Sequence, residues 1–391
     1  MAARLNPHLL PTISKYGNVN IEKCFNCGNC TAICPLSVNG ETFPRRMIRY
    51  AQLGLEEPLL SSKELWQCYA CGQCTQTCPR QADPSDFMAA ARRYAIAKYD
   101  PLGFARLLLT SPVIGAVLLV VIFFLIALVV YSFHGIMPND VLKMFDFIPA
   151  EDIHNLGLVA LAILMVTGLM GAINMILHLR KEIPVLTARG TRLNWWSALW
   201  ETLVFEVLAQ RQYRKDCETS LEKKPFIFQK WFIHAATMWG FLGLLAATGL
   251  DFLLGLIGVK PTGTLVPIWY PIRLLGTIAG LFLVYGTTMA LINRFRKADE
   301  STAHSTFADW ALLILLWATG VSGFALEIAI YLPQPQIWAY WMLIGHIAGA
   351  IELIILAPFT KFAHVLFRSI AMYIHLLKPL PETRKVEEGA Q

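Results

Sequence analysis

Eight of the nine cysteines fall into two copies of one spacing, Cys24-x2-Cys27-x2-Cys30-x3-Cys34-Pro35 and Cys68-x2-Cys71-x2-Cys74-x3-Cys78-Pro79. Three thiolates in one tight loop with a fourth close behind suit a [4Fe–4S] cluster. Disulfides and zinc sites are the competing uses of such cysteines, and zinc sites rarely space three so tightly. Cluster ligands are reduced thiolates, so the two runs predict one-electron chemistry in a reducing compartment. Cys217 stands outside both runs.

Histidines in apolar surroundings form the second set. An imidazole inside a membrane is costly unless it is paired or ligated. His346 and His364 stand five helical turns apart on one apolar run, which puts both on one face about 27 Å from each other. That is close to the thickness of the hydrocarbon core, with His346 toward the outer surface and His364 toward the inner. Two axial imidazoles at opposite depths suit two stacked haems b; helix-end histidines bonding headgroups or carbonyls are the bland alternative. Each haem needs a second ligand at matching depth. His234, at the inner start of the third apolar run, matches His364, and His154, at the outer start of the second, matches His346. His154 reads equally well as a headgroup-facing residue. His134 lies in an outer loop, and His178 sits beside Arg180 and Lys181, where a cation suits a helix C-terminus. His8, His304 and His375 read as solvated.

Carboxylates complete the inventory. Asp251 and Glu327 lie near outer helix ends and Glu352 lies mid-span. A quinol that is oxidised loses two protons, which makes these three the proton-transfer candidates. Glu352 suits equally a bond to a haem propionate or to a helix backbone. Gly240, Gly243, Gly249, Gly320, Gly323, Gly345 and Gly349 leave room for a porphyrin edge or, as readily, for a neighbouring helix.

The elements that must position these groups follow from composition. The 391 residues are 55% hydrophobic and 15% charged, against about a quarter charged in an ordinary soluble chain. Residues 1–100 are rich in charge and turn residues, and no apolar leader precedes them. Six apolar runs follow, at 112–133, 153–178, 231–257, 268–292, 307–331 and 337–372, each near or above the ~20 residues that span a bilayer. The last is too long for one span and contains Pro358, which predicts a kink and an extension past the membrane surface. Basic residues mark the inner loops. Arg180, Lys181, Arg189, Arg192, Arg211, Arg214, Lys215, Lys223 and Lys224 fall in one, and Arg294, Arg296 and Lys297 in another, against Lys143 and Lys260 outside. These loops account for the net charge of +6, and nothing in it asks for nucleic acid. The expected fold is mainly α. A helical two-[4Fe–4S] ferredoxin-type domain (1–100) lies on the cytoplasmic side, a six-span transmembrane cytochrome b bundle (101–378) crosses the inner membrane, and a polar tail (379–391) ends the chain.

Three resemblances sharpen this. The cysteine runs resemble those of bacterial two-cluster ferredoxins, in which the fourth cysteine of each run reaches the other cluster. That implies Cys24, Cys27, Cys30 and Cys78 for one cluster and Cys68, Cys71, Cys74 and Cys34 for its neighbour. Pro44-Arg45-Arg46-Met47-Ile48-Arg49, Gln52-Leu53-Gly54-Leu55 and Leu65-Trp66-Gln67-Cys68 resemble HdrC, the small iron–sulfur component of heterodisulfide reductases. Ala308-Asp309-Trp310, His346, Pro358-Phe359 and His364 resemble the cytochrome b subunit of respiratory nitrate reductase, a family related to HdrE, the membrane component of heterodisulfide reductases. His234 falls at that family's inner-haem position, but Leu244 stands where it has a second histidine, which leaves His154 as the substitute. The fusion of the two halves resembles the membrane subunits of quinone-interacting membrane-bound oxidoreductase complexes (the QmoC family). That resemblance implies menaquinone as substrate and two cytoplasmic flavin and iron–sulfur partner subunits related to HdrA, the flavin component of heterodisulfide reductases. It also implies a role in sulfate respiration toward adenylylsulfate reductase. A membrane subunit of another heterodisulfide-reductase-like complex, acting on a disulfide or thiol, is the alternative. A redox-driven pump fits less well, since few buried charges form a path.

Overall fold

A computed structural model describes residues 4–37, 42–138, 140–180, 193–217, 225–261, 263–298, 300–332 and 336–379. Lys181, Arg189, Arg192, Lys223 and Lys224 of the inner loop, the side chain of Cys217 and residues 380–391 of the polar tail lie outside the described residues.

The fold is mainly α-helical. Short helices α1 (Asn29–Ile33), α2 (Arg45–Gln52) and α3 (Gln73–Gln76) surround the cysteine loops, followed by α4 (Pro84–Tyr99) and α5 (Phe104–Thr110). Spans α6 (Pro112–Ser132) and α7 (Ala150–Leu179) come next. A connecting segment then holds α8 (Trp195–Trp200), a π-helical stretch (Glu201–Leu208) and α9 (Arg211–Cys217). The remaining spans are α10 (Lys230–Leu256), α11 (Pro271–Phe295), α12 (Phe307–Ile330) and α13 (Ile337–Leu356), with α14 (His364–Leu376) after them. Among the described residues, six helices are long and apolar enough to cross a membrane, so the chain is a multi-pass membrane protein. Each starts where local chemistry allows. Pro112 and Pro271 occupy first-turn positions that need no N–H. Thr306 and Asp309 close a reciprocal capping box on α12.

Glycines serve helix packing at the α10–α11 contact. A Cβ on Gly240 would sit 2.7 Å from the Ala279 carbonyl oxygen, and one on Gly243 would sit 2.7 Å from Ala279 Cβ. In lipid, such close backbone approach supplies the dispersion contacts that hold helices together.

The last span departs from expectation. Leu356 ends α13, Pro358 lies in a 3-10 turn over Ala357–Phe359, and Thr360 is extended (φ −108°, ψ −176°). A second turn over Lys361–Ala363, capped by Thr360 Oγ1 accepting from Phe362 N at 3.3 Å, leads into α14. Proline removes a ladder donor and crowds the preceding turn, so the chain breaks here instead of bending. His346 and His364 therefore lie on two helices, and the expected single face five turns long does not exist.

The cysteine-bearing part is not a loose appendage. One hydrophobic core runs from Trp66, Tyr94 and Tyr99 into Met175 and Leu179 of α7 and Phe367 and Ile374 of α14. Trp66, Tyr99 and Phe367 pack ring to ring with centroids 5.1 to 6.0 Å apart. Two histidines join this interface. His178, in the last turn of α7 where a helix-end position was expected, has Nδ1 2.9 Å from Glu57 Oε1, and the half-exposed His304 lies 2.7 Å from Asp86 Oδ2. Each gains a carboxylate that its own sequence neighbourhood does not contain.

Candidate metal centres

The two cysteine runs fold alike. Asn26 (φ 66°) and Gly28 (φ 86°) in the first correspond to Ala70 (φ 54°) and Gly72 (φ 86°) in the second, and a short helix follows each. These left-handed residues curl the chain so that an amide returns to the first sulfur of each run. Asn26 N approaches Cys24 Sγ and Ala70 N approaches Cys68 Sγ, both at 3.4 Å. Ala82 N lies 3.4 Å from Cys78 Sγ. Amide donors on cluster sulfurs are one lever on reduction potential.

Burial and mutual repulsion raise the thiols. Burial pushes the Cys30 thiol up, and the charges of Cys24, Cys27 and Cys78 add to it. Burial pushes Cys34 up to about 12, with Cys68 and Cys71 contributing. Cys74 is raised by burial and then by Cys68, Cys71 and Cys34, with Cys30 of the first run adding to it. One cavity is lined by Cys34, Cys68, Cys71 and Cys74 together with Ile33, Leu36, Phe43 and Met88. Four thiols around an apolar hollow fit the corners of an iron–sulfur cube, which turns crowded thiols into shared thiolates. Among the described residues, no three His, Cys, Asp or Glu side chains close on a point as a single metal ion requires. A cube spreads its ligands over four irons and makes no such demand.

In the membrane half, His234 on the first turns of α10 and His364 at the start of α14 bring their rings to 6.2 Å between centroids, with planes at 60°. Gln210 Nε2 lies 2.9 Å from His234 Nδ1, and the Lys361 carbonyl lies 2.7 Å from His364 Nδ1. At His364, Nδ1 donates to a carbonyl and leaves Nε2, the arrangement usual for histidines that bind metals. At His234 the Gln210 amide nitrogen faces Nδ1 while Gln210 Oε1 has no partner among the described residues, and turning that amide gives His234 the same arrangement. A ~2.0–2.1 Å metal–nitrogen bond plus a ring radius places an imidazole centroid about 3 Å from its metal. Two rings flanking one iron would thus stand about 6 Å apart, and this pair fits a haem iron between them.

The other histidines are placed differently. His346 Nδ1 lies 3.0 Å from Ser322 Oγ and 3.1 Å from the Thr319 carbonyl, and a Cβ on Gly323 would sit 3.1 Å from its ring. His154 lies edge-on to Phe252 at 5.2 Å. Helix α7 packs against α13, but the described contacts of these two rings do not include each other. Of the three carboxylates, Asp251 pairs with Lys260, and Glu327 Oε1 accepts from Arg273 Nη2 at 2.8 Å. Glu352 is buried, and its Oε1 has no hydrogen-bond partner.

Several residues at these centres were not among the site candidates read from sequence, although Asp309 stood in the Ala308-Asp309-Trp310 motif. Arg273 sits inside the fourth apolar run, where a lone arginine signals a buried acid. Asp309 is buried among Arg93 at 2.9 Å, Lys361 at 2.6 Å and Arg294 at 4.0 Å. An aspartate opening a span was its signal. Tyr69, Tyr213 and Arg368, which line the path between the thiols and His234, carry no signal of their own.

Residues 23–82 match the family described as 4Fe-4S dicluster domain. Residues 107–384 match the family described as Citrate utilization protein B. Among curated proteins, the iron-sulfur HdrC component of the CoB–CoM heterodisulfide reductase of Methanopyrus kandleri is 33% identical over 102 residues, covering 24% of this chain and 53% of that protein. The HdrE component of the dihydromethanophenazine:CoB–CoM heterodisulfide reductase of Methanosarcina mazei is 24% identical over 184 residues, covering 44% of this chain and 66% of that protein. The chain thus spans between about half and two thirds of the length of these relatives. No solved structure matches it. With its eight-cysteine 4Fe–4S dicluster domain, six candidate spans and distant kinship to HdrC and HdrE, the chain belongs to the citrate utilization protein B family.

Proposed function

We propose that this chain is the membrane electron-transfer subunit of an oxidoreductase complex. It exchanges electrons between menaquinone or menaquinol and soluble flavin and iron–sulfur partners, using two [4Fe–4S] clusters and two haems b. His234 and His364 carry the reading. They meet at 6.2 Å where the thiol-bearing domain joins the bundle. The donor groups are thiolates and imidazoles, which take iron, so redox chemistry supports the reading independently of the family's name.

Cys24, Cys27, Cys30 and Cys78 hold one cluster, and Cys34, Cys68, Cys71 and Cys74 the other; the cavity that the second four line together supports this division. His234 and His364 hold the inner haem. His346, with its Nδ1 engaged by Thr319 and Ser322, holds the outer haem, for which His154 is the second ligand. Bound in these places, the groups supply one-electron redox chemistry. The chain's own part is to keep them in register and to handle protons. Glu352, buried with one oxygen unpartnered, is the strongest of the three proton-transfer candidates, since Asp251 and Glu327 already neutralise Lys260 and Arg273.

The cluster domain (1–100) lies on the cytoplasmic side of the inner membrane, with the bundle over 101–378. The relatives are named as subunits of multi-subunit reductases, which supports a complex with further subunits related to HdrA. Adenylylsulfate reductase in sulfate respiration is the proposed destination. Haem and iron analysis of the purified chain tests the reading. About two haems b and about eight non-haem irons are expected from the ligand sets, and a haem-free preparation would sink it.

The relatives' names favour a second reading, a complex acting on a disulfide or thiol. All eight motif cysteines are spoken for as ligands, so that chemistry would belong to a partner subunit. Quinol-driven reduction of a dye but not of a disulfide by the purified chain decides for the first reading.

A further inference from the structure

The residue after the first cysteine of each run is aromatic, Phe25 in one and Tyr69 in the other. Their surroundings differ. Phe25 is 60% exposed, with the Arg80 guanidinium 6.0 Å from its ring centroid. Tyr69 faces the membrane half. Its ring stacks on Tyr213 at 5.1 Å and 22°, and the Arg368 guanidinium lies 3.9 Å over it. Tyr213 meets His234 edge-on at 5.7 Å, and His234 stands 6.2 Å from His364. Arg368 follows His364 by one turn on α14. Its Nη1 donates to the Trp66 carbonyl at 3.0 Å and to the Cys68 carbonyl at 3.3 Å. Arg92 Nη1 donates to the same Cys68 carbonyl at 2.6 Å. Four separate segments of the chain thus fill the space between one thiol loop and the histidine pair.

We propose that Tyr69, Tyr213 and Arg368 couple the Cys34/Cys68/Cys71/Cys74 cluster to the His234–His364 centre. This makes that cluster the membrane-side carrier and leaves the Cys24/Cys27/Cys30/Cys78 cluster, with exposed Phe25, to face the soluble partner. The proposal rests on the reading above that both sites hold iron. Electron tunnelling decays exponentially with separation, and more steeply through voids than through packed atoms, so rings in contact shorten the effective gap. With both groups bound, transfer from membrane to cluster would oxidise the centre held by His234 and His364 by one electron and reduce the cluster by one electron. No bond or proton moves, and none of the three side chains is itself oxidised; they are positioning residues. Arg368 and Arg92 also place two positive charges against the Cys68 carbonyl, which favours the reduced cluster and raises its potential.

Redox titration of the whole chain, followed by electron paramagnetic resonance, reads the two clusters separately. In R368Q the midpoint of one cluster is expected to fall while the other cluster and the haem spectrum stay as in the native chain, and R368K should restore much of that midpoint. Both clusters moving together, or neither moving, overturns the assignment. Rapid mixing with menadiol supplies the kinetic readout. In Y213L, haem reduction should keep its native rate while the cluster signal in freeze-quenched samples lags, and Y213F should recover the native lag. Cluster reduction in Y213L as fast as in the native chain overturns the coupling. Should Y213L not assemble, Y69L opens the same stack from the other side. A preparation without haem refutes the electron-transfer reading itself, while the R368Q titration still reports which cluster touches Arg368.

Discussion

Arg93 Nη2 donates to Asp309 Oδ2 at 2.9 Å across 216 residues of sequence, with both side chains buried. Arg93 belongs to α4 of the thiol-bearing part and Asp309 to the first turn of span α12. Arg93 also donates to the Tyr16 carbonyl at 2.8 Å, so one guanidinium ties the N-terminal segment to the bundle.

Asp309→Asn leaves Arg93, Lys361 and Arg294 facing one another without an anion. Breaking a buried pair from one side costs about 3–5 kcal/mol, because the remaining charge stays desolvated. The variant should show a lowered unfolding midpoint in detergent and faster proteolytic release of the N-terminal part. Native protease resistance would mean that the pair contributes nothing to docking.

Glu56 accepts from Asn6 Nδ2 and from Tyr94 Oη at 2.6 Å each and pairs with Lys98 Nζ at 2.7 Å. Burial alone would raise its carboxyl, but these partners hold it below the usual carboxylate value. A depressed folded-state pKa contributes stability above the unfolded value and loses it as pH falls through the folded value. Glu56→Gln should therefore lower stability at neutral pH by roughly 1–3 kcal/mol. The difference from the native chain should close on acidification below the carboxylate range, as read from denaturation midpoints across that range.

His234→Ala and His364→Ala should each remove the same haem, seen as loss of one set of optical features with the other set unchanged. Spectra that lose different haems would break the pairing. His154→Ala should remove the outer haem, and an unaltered two-haem spectrum would assign that ligand to another residue.

Glu352→Gln should leave haem content intact and slow quinol oxidation about 10²-fold, the lower end of what a positioned acid–base group contributes. Asp251→Asn and Glu327→Gln should act mainly on stability, since each breaks an ion pair with Lys260 or Arg273. Steady-state quinol–dye assays beside thermal melts separate the two effects.

Two kinds of information were legible in the chain by itself. The cysteine runs are local: spacing over about ten residues groups three thiols of each run, while the fourth ligand proposed for each cluster comes from the other run. Span number is also local, because a bilayer asks only for length and apolarity, and the six expected runs correspond to the six helices found. Fold class followed from these two. The break at Pro358 was half visible. A kink was expected at Pro358, yet the extended Thr360 after it separates His346 and His364 onto two helices. Pairings across the chain were not legible. His178 with Glu57, His304 with Asp86, Asp309 with Arg93, and Tyr69 with Tyr213 each join segments whose spacing has no period to read. Tertiary structure decided them because a buried charge or ring takes whichever partner packing brings within reach. The sequence determined which residues could hold iron, and the fold decided which neighbours connect those sites.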